Sequence, residues 1–145
     1  MRILVDADAC PVKDLIIRVG REKDIAVVMF MDTSHAWKNE DNVEMITVDK
    51  ARDGVDIALI NMTGKNDIVV TQDYGVAALA LGKGARALNQ NGMIFSSDNM
   101  DKLLFERHLG QKVRRAGGRT KGTRKRTYQD DEKFERALRQ LIEQT

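Results

Sequence analysis

Four short apolar runs in this 145-residue chain lead into an aspartate: Leu4-Val5-Asp6, Phe30-Met31-Asp32, Thr47-Val48-Asp49 and Val70-Thr71-Gln72-Asp73. Asp8 follows just after the first. Asp53 and Asp56 stand three apart, the spacing that puts two side chains on one face at the start of a helix. Ionised carboxylates gathered at one place repel, and they raise one another's pKa unless a cation neutralises them. A hard divalent ion answers that repulsion. Mg²⁺ takes oxygen ligands, keeps several waters and needs only a few carboxylates, whereas zinc would want His and Cys in a ligand-like spacing that this chain lacks. The plainer alternative is turn chemistry, because Asp is a favoured loop and N-cap residue and Asp53 and Asp73 each directly precede a helix-like stretch.

For these aspartates to meet, the runs that carry them must be strands of one sheet. Ile3-Leu4-Val5, Ile25 to Met31, Met45 to Val48 and Ile68 to Thr71 are short and rich in β-branched residues, as strands buried on both faces are. Ala85 to Leu88 and Met93 to Phe95 read as further edge strands. Helical stretches separate them. Pro11 to Glu22 carries Val12, Leu15, Ile16 and Val19 on one face, and Asp53 to Gly64 carries Val55, Ile57, Ala58, Ile60 and Met62. Tyr74 to Leu81 is a third helix, and a fourth is capped by Ser97 or Asp98, carries Met100, Leu103 and Leu104, and stops at Gly110. Strands alternating with helices predict an α/β domain with a central, mostly parallel sheet and helices on both faces. Ligands bind such sheets outside the carboxyl ends of the strands, where the aspartates stand.

The net charge of +2 averages two unlike parts. Lys112, Arg114, Arg115, Arg119, Lys121, Arg124, Lys125 and Arg126 fall in one stretch without an acid, so that stretch carries +8 and the rest of the chain −6. An acidic body with a basic arm points to a polyanionic partner, nucleic acid above all. The arm holds Gly117, Gly118 and Gly122 and almost nothing apolar, so it cannot bury enough surface to fold alone. The expected organisation is an α/β domain over residues 1–110, a flexible basic arm over 111–129, and a helix over 130–145 that docks back through Phe134, Leu138, Leu141 and Ile142. Cys10 is the only cysteine, which excludes an internal disulfide, and no stretch has the form of a secretory or membrane-spanning segment. A cytoplasmic protein with no membrane partner is the expectation, its oligomeric state left open.

Further residues have a chemical and a plain reading. Ser34 and His35 follow strand two on the carboxyl edge, where they are candidates to contact a phosphate; a lone loop His is more often simply exposed. Trp37 could stack a base, although packing over the sheet edge is commoner. Lys13 in the first turn of helix one is a phosphate-binding candidate or an ordinary solvated lysine. Cys10 lies before that helix with no acid–base partner in the sequence, which favours a structural thiol. Thr71, Gln72, Tyr74 and Gly75 flank Asp73 and could orient it, or could be turn residues only.

Asp6-Ala7-Asp8-Ala9-Cys10-Pro11-Val12-Lys13, Ser34-His35, Asp53-Gly54-Val55-Asp56 and Asp67-Ile68-Val69-Val70-Thr71-Gln72-Asp73-Tyr74-Gly75 resemble the signatures of the YaiI/YqxD family. That bacterial family has no established reaction and is similar to PIN and NYN domains. The resemblance covers nearly the whole chain, including the Leu104 to Arg107 helix and the basic arm. It implies a three-layer PIN-like fold and cleavage of phosphodiester bonds, usually of RNA, by acidic residues with Mg²⁺ or Mn²⁺. Asp6 then matches the acid ending strand one, Asp73 the acid of the Thr-x-Asp motif, and Asp56, or less closely Asp53, the middle acid. That middle acid is usually Glu in PIN domains, and no further acid follows Asp73 in its helix, so Asp8 or Asp53 would have to complete a tetrad. Asp6, Asp56, Asp73 and Asp53 are thereby the expected metal ligands and Asp6, Asp8, Asp56 and Asp73 the expected catalytic set. Lys13, Ser34, His35, Thr71, Arg114, Arg115, Arg119 and Arg124 are expected to meet the substrate. Asp32 and Asp49 read as loop residues farther from the centre.

The leading expectation is a metal-dependent nuclease. A non-catalytic nucleic-acid-binding module is the second. The third is a phosphatase of the haloacid-dehalogenase kind, since Asp6-x-Asp8 resembles its acid pair, although Cys10 stands where Thr or Val is expected and no later lysine motif is clear.

Overall fold

The computed structural model describes residues 1–8, 10–32, 42–48, 54–115 and 125–144, with backbone alone at 107 and 113–115. Strand β1 (Arg2–Asp6) runs through the middle of the sheet. Its Ile3-Leu4-Val5 run is fully buried, and side-chain alternation sends Ile3 and Val5 into one helical layer and Leu4 into the other. Burial on both sides removes any need for a polar face, which is why the run is uninterruptedly apolar.

Strand β2 (Ala26–Met31) pairs with β1 in parallel, Arg2 opposite Ala26 and Asp6 opposite Phe30. Strand β3 (Val43–Thr47) adds to β2, starting two residues before the expected Met45 because Val43 pairs with Val27. After helix α2 (Gly54–Met62) the chain returns to the other side of β1 as β4 (Ile68–Val70), with Val5 opposite Val70. Helix α3 (Tyr74–Gly82) leads to β5 (Arg86–Leu88), parallel to β4, and the two-residue β6 (Ile94–Phe95) closes the sheet antiparallel. The order is β3-β2-β1-β4-β5-β6. The chain winds outward from β1 to β3 and then outward again from β4, so the seam between β1 and β4 is where the winding reverses. Open parallel sheets form a ligand crevice at the carboxyl end of such a seam.

Helix α1 (Lys13–Lys23) and the terminal helix α5 (Tyr128–Glu143) cover one face, setting Ile16, Val19, Phe134 and Leu138 against Ile3, Val5, Val27 and Met29. Helices α2, α3 and α4 (Ser97–Arg115) cover the other, where Leu59, Val76, Ala80 and Met100 meet Leu4, Val28, Phe30 and Val69. Each fully buried aliphatic or aromatic side chain contributes about 1.5–3 kcal/mol. Docking of α5 is reinforced at its end, where the Arg86 guanidinium donates to the Leu141 carbonyl.

Three boundaries differ from expectation for identifiable reasons. Pro11 occupies a turn ahead of α1, just after the one that the Cys10 N–H closes by donating to Ala7 O at 3.2 Å, and the helix begins two residues later. Helix α4 does not stop at Gly110 but runs on to Arg115, so Lys112, Arg114 and Arg115 are helical. Gly110 keeps an ordinary helical sign of φ, and a glycine ends a helix only when the backbone turns left-handed. At the other end of the basic stretch Arg126 is fastened: Nε donates to Asp131 at 2.7 Å, Nη1 to Asn91 at 2.9 Å and Nη2 to the Gln90 carbonyl at 2.7 Å. Helix α5 then starts at Tyr128, with the Asp130 carboxylate accepting the Thr127 N–H at 2.8 Å. No described helix is long and apolar enough to cross a membrane.

Candidate active site at the β1/β4 seam

Asp6 ends β1 on the carboxyl edge. Its neighbour across the seam is Thr71, directly after β4, whose buried hydroxyl donates to Asp6 Oδ2 at 3.4 Å. The same hydroxyl accepts the Asp73 N–H at 3.0 Å, so one small side chain connects the two acids. Asp73 is the N-cap of α3: its Oδ1 accepts the N–H groups of Gly75 at 2.8 Å and Val76 at 3.2 Å. Capping and site membership are therefore compatible here. The cap fixes the carboxylate, and the positive end of α3 favours its charge.

Gly75 has a specific steric role. A Cβ there would stand 3.1 Å from Asp73 Oδ1, tighter than ordinary contact, so a larger residue would displace the carboxylate. Asp56 lies in the first turn of α2. Asp8 follows β1, and its Oδ2 accepts the Asp32 N–H at 2.9 Å, which ties the ends of β1 and β2 together.

Burial, and then the Asp56 charge, pushes the Asp6 carboxyl up to about 6; the Thr71 hydroxyl pulls it back, while Asp8 and Asp73 add to the rise. Four aspartates from three separate stretches thus share one electrostatic site. A cavity of about 450 Å³ opens there, lined by Asp6, Gln72, Asp73 and Tyr74. Tyr74 is set by an edge-on contact with Phe95, ring centres 5.9 Å apart.

The carboxylates do not form a closed cage. Among the described residues no three His, Cys, Asp or Glu side chains converge as a set that could enclose a metal ion. Their donors are all oxygen, which suits a cation that keeps most of its water and takes one or two carboxylates, as Mg²⁺ does.

Of the expected site residues, Asp6, Asp8, Asp56, Asp73 and Thr71 come together. Lys13 opens α1 and its charge acts on Cys10, whose buried thiol is pushed up by desolvation, as suits a structural cysteine. Arg114 and Arg115 belong to the last turn of α4. Ser34, His35, Trp37, Asp49, Asp53, Arg119 and Arg124 lie outside the described residues.

A second concavity of about 320 Å³, between α2 and α3, was not foreseen. It shares Asp73 with the first and has Asp56 on its rim. The sequence carried a signal for it. Helix α2 is apolar nearly all round, yet Leu59 is its only buried residue, and Ile57 is 56% exposed. A helix apolar on every side is normally enclosed, so one that is not leaves apolar surface for something else.

Comparison with known proteins places this chain among relatives of matching length. A UPF0178 protein of Ruminiclostridium cellulolyticum is 64% identical over 138 residues, covering 95% of this chain and 90% of the relative. UPF0178 proteins of Lachnoclostridium phytofermentans and Clostridium acetobutylicum are 54% and 50% identical, each alignment covering 98% of this chain and 97% of the relative. No solved structure matches. Residues 4–144 match the family described as "Uncharacterized BCR, YaiI/YqxD family", and at that coverage and identity the chain belongs to the YaiI/YqxD family.

Proposed function

We propose that this protein is a divalent-cation-dependent nuclease that hydrolyses phosphodiester bonds, of RNA in preference to DNA, at the carboxyl edge of its sheet. The observation that carries this reading is that the charges of Asp56, Asp8 and Asp73 all act on the part-buried carboxyl of Asp6, at the point where the sheet reverses its winding. A carboxyl held up to about 6 by its burial and then by the charges of Asp56, Asp8 and Asp73 marks a site short of positive charge.

Asp6 and Asp73, joined through Thr71, would hold Mg²⁺ or Mn²⁺ with water completing its shell, Asp56 and Asp8 would act on it through that water, and Asp53 is the further candidate. The chemistry that a cation would supply there is a lowered pKa of water and neutralisation of charge in displacement at phosphorus. The protein's own share is positioning. Thr71 orients Asp6, the α3 amides orient Asp73, and Arg126 is anchored at the β5–β6 turn, at the end of a stretch with eight positive charges. Those charges suit a polyanion, and the resemblance to PIN domains points to RNA.

The stretch with eight positive charges and no acid favours one second reading, a nucleic-acid-binding module without catalysis. Incubating purified protein with labelled single-stranded RNA, with and without Mn²⁺, separates the two. Cleavage that needs Mn²⁺ and is lost in Asp6→Asn and Asp73→Asn is the expected result. Cleavage unchanged in both variants refutes the proposal, and salt-sensitive binding that survives chelation without any cleavage supports the second reading.

A further inference from the structure

We infer that the groove between α2 and α3 is a nucleoside-binding site, which takes the base of the nucleotide whose phosphate lies at the adjoining carboxylates. The inference rests on the proposed action at phosphodiesters and adds to it where the substrate is gripped. The walls are apolar and come from two helices, Ile57 and Ile60 of α2 and Val76 and Leu79 of α3. Ile57 and Leu79 are 56% and 58% exposed, and because both line the same groove they give it an open apolar surface that a ligand can cover. Asn61 on the same rim supplies an amide that can donate and accept at once.

The groove adjoins the acidic cavity, the two sharing Asp73 in their lining, and Asp56 stands at its border. Its occupant therefore has a flat or compact apolar part joined to a group that a cation can bridge to carboxylates. A nucleotide has both. At about 320 Å³ the groove falls at the small end of ligand pockets, adequate for one nucleoside. A second protein chain fits less well, since a stable interface buries about 800 Å² on each side and would desolvate Asp56 and Asp73 against apolar surface. Aliphatic walls grip the faces of any base, so affinity comes mainly from Ile57 and Leu79, and discrimination among bases from Asn61.

The test is a ¹H–¹⁵N spectrum of the full chain titrated with AMP or UMP in the presence of Mg²⁺, with ribose 5-phosphate as the ligand lacking a base. The amides of Ile57, Ile60, Asn61 and Leu79 are expected to shift with the nucleotides and to stay still with ribose 5-phosphate. Leu79→Ser, a change at an exposed position that leaves the core intact, should weaken nucleotide binding about tenfold. Equal shifts with ribose 5-phosphate, no shift at the groove, or full affinity in Leu79→Ser each overturn the assignment. So does binding of butylamine to the same amides without Mg²⁺, which would make this an organic-cation site. Groove shifts with AMP in a protein that cleaves no RNA would refute the nuclease reading and leave the nucleoside site standing. Mn²⁺-dependent cleavage with silent groove amides would do the reverse.

Discussion

Replacing Asp6 by Asn should make the cation-free protein more stable at neutral pH. Asp6 titrates from an ordinary 3.8 up to about 6 in the fold, so ionising it costs folding free energy. At about 1.4 kcal/mol per unit the full cost is roughly 3 kcal/mol, and because Asp6 is partly exposed, solvent screening brings it to about 1–2 kcal/mol. The direction follows from the raised value. Below 3.8 folded and unfolded forms are both protonated and nothing is lost; as pH rises from 3.8 to 6 the unfolded chain gives up its proton first, and the penalty is complete above 6. Asn has the same shape, keeps an oxygen for the Thr71 hydroxyl and carries no charge. Thermal melts in chelator should therefore place Asp6→Asn about 3–8 °C above the parent near pH 7.5, with the gap shrinking to about 1–2 °C near pH 4. Millimolar Mg²⁺ should reverse the order, because the parent gains binding energy at the carboxylates and the variant loses a ligand. A variant less stable than the parent in chelator at neutral pH would refute the idea that Asp6 is held under electrostatic stress.

Other substitutions probe the supports. Thr71→Val removes the hydroxyl that bonds Asp6 and the Asp73 N–H and should cost about 1–3 kcal/mol in denaturant melts, while Thr71→Ser should cost less than 1 kcal/mol. Gly75→Ala places a Cβ against Asp73 Oδ1; Mn²⁺ affinity measured by calorimetry should fall several-fold with a melting temperature within about 2 °C of the parent. Gly92→Ala should be the most damaging, about 3 kcal/mol or more by urea unfolding: its φ of +85° suits only glycine, and a Cβ would lie 2.6 Å from the Lys133 carbonyl oxygen of α5.

Much of this architecture is legible in the chain because the strands are buried on both faces. Ile3-Leu4-Val5 and Ile68-Val69-Val70 announce central strands through β-branched content alone, and the aspartates that follow mark the carboxyl edge. Which aspartates meet is not legible from the strand pattern alone, since that depends on strand order; the family resemblance is what singles out Asp6, Asp8, Asp56 and Asp73. Only the position of β4 beside β1 brings Asp73 to Asp6 through Thr71. Helix ends were obscured where a residue permits two conformations: Gly110 continues α4, and Pro11 lies in a turn. The α2/α3 groove escaped because periodicity takes every apolar helical residue for a core residue, while Ile57 and Leu79 face outward.

The most direct measurement is the anomalous density of a crystal soaked in Mn²⁺. A peak bordered by Asp6, Asp56 and Asp73, its remaining positions filled by water, is the predicted result, and the Asp73→Asn crystal should lose it. No peak at the β1/β4 seam at a concentration that saturates other Mn²⁺ enzymes, with the carboxylates turned apart, would contradict a cation-dependent reaction at this site.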